Sequence, residues 1–232
     1  MANKAVMITG ASGNLGRAVA AAFADEGRPL ILVGSRRAGL ESAFPGAPSH
    51  WHLVDVDLTD DAASKAQLGA AIEAAGGVDT LCAIAGGFHM GDKVHETSRA
   101  MLDAMLDLNL RTLMNAAAAV LPAMIAQGSG KIVTVGALSA LKGAADMGAY
   151  GVAKSAVLRL TEAMAAENGR HGINVNSVLP SIIDTPENRA AMPKADPSKW
   201  VSPQALADVI RFLASDAASA IQGALIPVTG RG

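Results

Sequence analysis

Seven short, mostly apolar runs, at residues 5–9, 30–34, 52–56, 80–85, 131–136, 173–179 and 224–228, are separated by longer alanine-rich stretches. The runs are near-continuous in Val, Ile, Leu and Ala rather than strictly alternating, as in strands buried on both faces. The stretches at 15–26, 60–75, 98–126, 148–168 and 203–214 suit helices. Strands alternating with helices in this way predict an α/β fold. The expected form is a doubly wound, Rossmann-type parallel sheet of seven strands with helices on both faces. No charge block, repeat or low-complexity tract interrupts the pattern, so 1–232 reads as one domain. Only 3% of residues are aromatic, so aliphatic and small side chains must fill the core. The least regular part, 181–202, is rich in Pro and polar residues. Such segments in compact domains are often functional.

The first strand runs directly into Thr9-Gly10-Ala11-Ser12-Gly13-Asn14-Leu15-Gly16. Glycines 10, 13 and 16 fall where a strand turns into a helix. There a missing Cβ lets backbone approach a diphosphate, and the helix start offers free N–H groups. Gly10, Ser12, Gly13, Asn14, Leu15 and Gly16 are therefore expected to hold a dinucleotide. The second strand ends in Gly34-Ser35-Arg36-Arg37. An acidic residue there would bind a ribose 2′-OH and repel a 2′-phosphate. Ser35 followed by Arg36 and Arg37 favours NADP(H), with NAD(H) the alternative.

The only tyrosine, Tyr150, stands four residues before Lys154, so the two share a helix face. An ammonium beside a phenol favours the phenolate, which is expected to lower the Tyr150 pKa and make it a general acid/base.

Other classes find little support. Charged residues are 17% and the net charge is -2, which offers nothing to nucleic acid. The close pair His50 and His52 lacks Cys or carboxylate company, so no metal is expected. Cys82, the single cysteine, lies in an apolar run and reads as a buried small residue; one cysteine forms no intramolecular disulfide and fits a cytoplasmic location. The apolar start of the chain is too short for a signal peptide. The low-polarity stretch 115–126 contains Pro122 and is too short to span a bilayer, so no membrane is expected.

Taken in order, these motifs resemble the short-chain dehydrogenase/reductase family along essentially the whole chain. Asp57 and Leu58 resemble the pair at the adenine. Ala83-Ile84-Ala85-Gly86 stands where the family usually has Asn-Asn-Ala-Gly, which adds Ala85 and Gly86 to the cofactor set. Asn109 resembles the asparagine of the central helix, and Tyr150 with Lys154 the catalytic pair. Pro180 to Thr185 resembles the segment over the nicotinamide, with Ser181 replacing a glycine. The resemblance implies that Tyr150 moves the substrate proton and that Lys154 holds the nicotinamide ribose. It implies that Asn109 holds a water linking the lysine to solvent, and that Thr185 and the Ile183 backbone hold the carboxamide. It also implies a homodimer or homotetramer.

Ala137 departs from the family. It occupies the position of the usual substrate-orienting serine, thirteen residues before Tyr150. Ser139 would face the same way if the backbone stayed extended; otherwise it decorates a loop. The dihydropteridine reductase branch also lacks that serine. The run from Cys82 to Phe88 resembles that branch, as do the Pro, Asn-Arg, Met-Pro and Trp landmarks between Leu179 and Trp200, which implies that 181–202 is a substrate lid. The expected activity is hydride transfer between NADP(H) and a small C=N or C=O substrate, dihydropteridine reductase-like. The alternatives are a ketone or 3-oxoacyl reductase and, in a different class, a non-catalytic dinucleotide sensor. Substrate candidates are Phe88, Ser139, Met147, Met192 and Trp200. Trp200 either lines the site or anchors the lid, and His89 reads as a solvated loop residue.

Overall fold

The structure, a computed structural model, describes residues 4–230. In chain order the elements are β1 (Ala5–Thr9), α1 (Asn14–Ala24), β2 (Leu30–Gly34), α2 (Arg37–Ala43), β3 (Trp51–Asp55), α3 (Asp61–Ala74), β4 (Val78–Ala83), α4 (Arg99–Leu106) and α5 (Thr112–Gln127). There follow β5 (Gly130–Val135), α6 (Gly148–Asn168), β6 (Ile173–Pro180), α7 (Pro186–Ala191), α8 (Pro203–Leu213) and β7 (Leu225–Val228). All strand pairs are parallel, in the order β3-β2-β1-β4-β5-β6-β7.

Successive residues of each strand point to opposite faces, and the two faces carry separate cores. On one, Leu68, Leu113, Val120, Met124 and Val157 pack on Met7, Ile31, Leu81 and Ile132. On the other, Val19, Phe23, Leu206 and Ile210 pack on Ile8, Leu32, Val133 and Val178. The strand order reverses between β1 and β4, so a crevice opens at their carboxyl ends, where open α/β sheets bind ligands. Thr9 ties its two walls together: its Oγ1 accepts from the amides of Ile84 and Ala85, each at 3.0 Å.

Three local features differ from expectation. The helix expected over 98–126 contains a π-helical turn, Asp107–Arg111, between α4 and α5. Arg99–Gln127 is then one helix of 29 residues, long and apolar enough to cross a membrane by length and composition. That corrects the sequence estimate based on 115–126 alone. Here Leu113, Ala116, Val120 and Met124 on α5 are buried against the sheet. Two short helices were not expected. α2 buries only Leu40, too little for a readable period. α7 lies inside the irregular segment and is capped by Thr185, with Pro186 at its start.

Candidate active site

A cavity of about 440 Å³ lies at the crevice. Gly10, Ser12, Gly13, Asn14, Leu15, Gly16, Ser35, Asp57, Leu58, Ala85, Gly86 and Thr185 line it, as do Val56, Thr59, Ile84, Leu108 and Thr112, which were not among the expected cofactor residues. The turn is built for close approach. Gly10 has φ +64°, and a Cβ there would stand 3.0 Å from the Ala85 backbone; a Cβ on Gly16 would stand 2.2 Å from the Gly10 carbonyl oxygen. Helices α3, α4, α7 and α8 are capped by the side chains of Asp60, Ser98, Thr185 and Ser202. By contrast, α1 begins at Gly13, which offers no side-chain cap, and its first turn holds no acid. Its amides and positive dipole end face the cavity, which suits a diphosphate. The residues present therefore fit a dinucleotide. Asp57 accepts from the Thr59 hydroxyl at 2.7 Å and amide at 2.9 Å, and these bonds hold its carboxyl below the usual carboxylate range.

The two arginines after β2 part company. Arg37 is committed: it donates to Glu41 Oε1 at 2.9 Å and to the Leu53 carbonyl at 2.7 Å, with Asp55 nearby. It does not line the cavity, and its guanidinium is engaged elsewhere. Arg36 is exposed, and its guanidinium forms no ion pair among the described residues.

Lys154 and Asn109 converge at Gly86, and Tyr150 lies one helical turn before Lys154 on α6. The Asn109 side chain, in the π turn, is stapled to the loop after β4. Its Nδ2 donates to the Gly87 and Met105 carbonyls at 3.1 and 3.0 Å, and its Oδ1 accepts from the Gly87 amide at 3.2 Å. π turns of this kind are frequent at functional sites. Lys154 is buried on α6 and its Nζ donates to the Val135 carbonyl at 2.9 Å. A methyl on Gly86 would stand 2.8 Å from Asn109 Oδ1 and 3.4 Å from Lys154 Nζ, so glycine leaves the space in which they converge.

The expected direction of the Tyr150 shift is corrected. Burial pushes its hydroxyl up to about 12. Lys154 is buried as well, and burial holds its own ammonium down, at about 8. In the free protein, desolvation outweighs the charge that the i, i+4 spacing brings close.

Ala137 is buried and extended, with φ −155° and ψ 144°. The chain then leaves the strand as a 3-10 turn, Leu138–Leu141. The extended backbone that would aim Ser139 like residue 137 is absent, so the condition for Ser139 to stand in for a residue-137 serine is not met. Phe88 stands edge-on to Tyr150. Met147 is half-buried at the start of α6, and Met192 at the end of α7. Trp200 makes no ring contact with Phe88 or Tyr150 among the described residues; its carbonyl packs by Gly230. Pro180 ends β6, and Ser181 donates from Oγ to the Thr229 carbonyl at 3.1 Å, away from the cavity. The Ile183 carbonyl accepts from Asn188 at 2.8 Å. Cys82 is fully buried, and desolvation raises its thiol to about 12.

A parallel seven-stranded sheet, a glycine turn at its switch point and a Tyr–Lys pair on the adjoining helix define a class. Residues 4–196 match the short chain dehydrogenase family, and the chain belongs to it. It is 31% identical to levodione reductase of Leifsonia aquatica over 98% of this chain and 93% of that protein. It is 33% identical to meso-2,3-butanediol dehydrogenase of Serratia marcescens over 98% and 94%. The solved structure of levodione reductase has a TM-score of 0.90 to this one at 29% identity, covering 98% of this chain and 96% of that one. The protein is an NAD(P)-dependent oxidoreductase.

Proposed function

We propose that the protein is an NADP(H)-dependent reductase of a small, conjugated C=N or C=O acceptor, dihydropteridine reductase-like in its demands. The buried Ala137 supports this most directly. Neither it nor Ser139, carried off on the 3-10 turn, offers a second donor beside Tyr150. A simple ketone develops alkoxide charge on one oxygen and gains most from a second donor. A conjugated acceptor spreads that charge and needs it less.

Gly10 to Gly16 would hold the diphosphate, Asp57 and Leu58 the adenine, and Lys154 the nicotinamide ribose. Thr185 and the Ile183 backbone would hold the carboxamide. The bound nicotinamide supplies the hydride. The Tyr150 hydroxyl donates a proton to the acceptor nitrogen or oxygen that gains electrons. At its high value in the free protein the phenol holds that proton tightly at neutral pH, so donation depends on stabilising the phenolate as it forms. Lys154, held on the Val135 carbonyl, stabilises the phenolate left behind, and Asn109 fixes the loop that shapes the relay. Support for NADP(H) comes from Ser35 on the cavity wall and the free guanidinium of Arg36. Segment 181–202 acts as the lid.

A second reading, ketone–alcohol interconversion, is favoured by the names of the relatives. We place the protein in the cytoplasm as a homodimer or homotetramer, with Met114, Ile125 and Val152 exposed on α5 and α6 as the apolar surface for it.

The deciding experiment offers NADPH and NADH with quinonoid dihydropterin and with a panel of cyclic and linear ketones. Faster turnover of the dihydropterin is expected. Turnover confined to the ketones would establish the second reading. Tight nucleotide binding without any turnover would leave a dinucleotide sensor.

A further inference from the structure

Asn14 is the first residue of α1 and lines the cavity. Its amide is used at both ends: Nδ2 donates to Glu187 Oε2 at 2.7 Å, and Oδ1 accepts from Arg17 Nη2 at 2.8 Å. Glu187 lies in the first turn of α7, two residues beyond the cap, Thr185, which itself lines the cavity. Among the described residues this is the only side-chain hydrogen bond from segment 181–202 to the glycine turn. The carboxylate is held below the usual range by its own amide, then by the Thr185 hydroxyl, with smaller help from Asn14 and Arg17.

A carboxylate here is unexpected. It lies beside a turn whose amides suit a diphosphate, and α1 brings no acid of its own to that turn. Glu187 is exposed, so salt and Arg17 screen the repulsion. What the carboxylate gains is position, because Asn14 fixes where α7 begins.

We infer that Glu187 is a positioning residue: through Asn14 it latches α7, and with it Thr185, against the glycine turn, enclosing the dinucleotide. The inference rests on the dinucleotide reading of the cavity. Opening of the latch must precede nucleotide release, so the latch sets residence time.

The test has two parts. Hydrogen exchange of the α7 amides is followed in the nucleotide-free protein, and dissociation of NADPH and of NADH by stopped flow. Glu187→Ala should speed α7 exchange and raise the dissociation rate about tenfold. Glu187→Gln keeps an acceptor for Asn14 and removes the charge, so it should release nucleotide at the wild-type rate or slower. Asn14→Ala should match Glu187→Ala, and the double variant should be no worse than either. Arg189→Ala breaks the neighbouring pair with Asp184 without touching the latch, and should leave dissociation unchanged. The latch is refuted if Glu187→Ala and Glu187→Gln both bind tighter, since Glu187 then acts only by repulsion. It also fails if the Asn14 and Glu187 effects add, or if Arg189→Ala matches Glu187→Ala. Exchange is read without nucleotide, so faster α7 exchange in a protein that binds neither nucleotide would condemn the cofactor reading and leave the latch standing. Unchanged exchange would remove the latch itself.

Discussion

The rings of Phe88 and Tyr150 meet edge to face, with centroids 4.9 Å apart and planes at 81°. Phe88 is itself 57% exposed, so it stands as a cover between the only tyrosine and solvent. Burial is what pushes the Tyr150 hydroxyl up to about 12. Phe88→Ala should therefore move its ionisation down towards the ordinary value of 10.0. With a single tyrosine, tyrosinate absorbance after a stopped-flow pH jump reads this group alone, before the chain unfolds. An unmoved midpoint would mean that α6 and its neighbours, not Phe88, desolvate the phenol.

Tyr150→Phe removes the proton that the acceptor needs and leaves the cradle intact. Turnover with any accepted substrate should fall by about 10²–10⁴-fold, the usual worth of a positioned general acid. Nucleotide affinity, measured by fluorescence, should change by less than about threefold, because phenylalanine keeps the ring and loses only the hydroxyl. Surviving turnover would take the proton-donor role away from Tyr150.

Much of this site is written in local sequence, and the rest is not, for identifiable reasons. Gly10, Gly16 and the β1 run are legible because a strand–turn–helix junction has its own composition. Tyr150 and Lys154 are legible because i, i+4 spacing holds on any helix. The pKa directions were not, since burial depends on Phe88 and on the packing of α6. Ser139 needed knowledge of where the chain leaves β5. Two signals were readable. Glu41, four residues after Arg37, foretells its side-chain partner. Thr185-Pro186 is a helix start that marks α7. Asn14–Glu187 spans 173 residues and leaves no local trace.

The arginines separate cofactor recognition from structure. Arg36→Ala should raise the KM for NADPH about tenfold and leave that for NADH within about twofold, the loss of one charge-assisted contact to a 2′-phosphate. Arg37→Ala should spare both KM values and lower thermal stability slightly, because its partners are Glu41 and the Leu53 carbonyl. Equal effects on the two nucleotides at Arg36 would count against the NADP(H) preference.

Ala137→Ser puts a hydroxyl where the second donor is missing. The position is extended and 5% exposed, so the oxygen would be added next to a desolvated site. We expect kcat/KM for simple ketones to rise about tenfold, near 1.4 kcal/mol of transition-state stabilisation. The dihydropterin rate should not rise. A parallel gain for both substrates would show that the natural acceptor also lacks a donor it needs.

Lys154 gives a pH test that requires no substrate. Its folded value is held at about 8 against 10.5 in an unfolded chain, so between those values the unfolded state binds more protons. Stability should therefore rise with pH from about 8 to 10.5, and be lost again as pH falls through 8. The full span is about 3 kcal/mol at 1.36 kcal/mol per unit. Cys82 acts in the opposite sense between 9.0 and about 12, and Tyr150 between 10.0 and about 12, where the folded state keeps the proton longer, so urea midpoints are best compared from pH 8 to 9. Lys154→Met keeps the aliphatic stem and removes the titrating group. Its urea midpoint should lose the rise above pH 8, whereas a slope equal to that of the wild type would place the titration on another group.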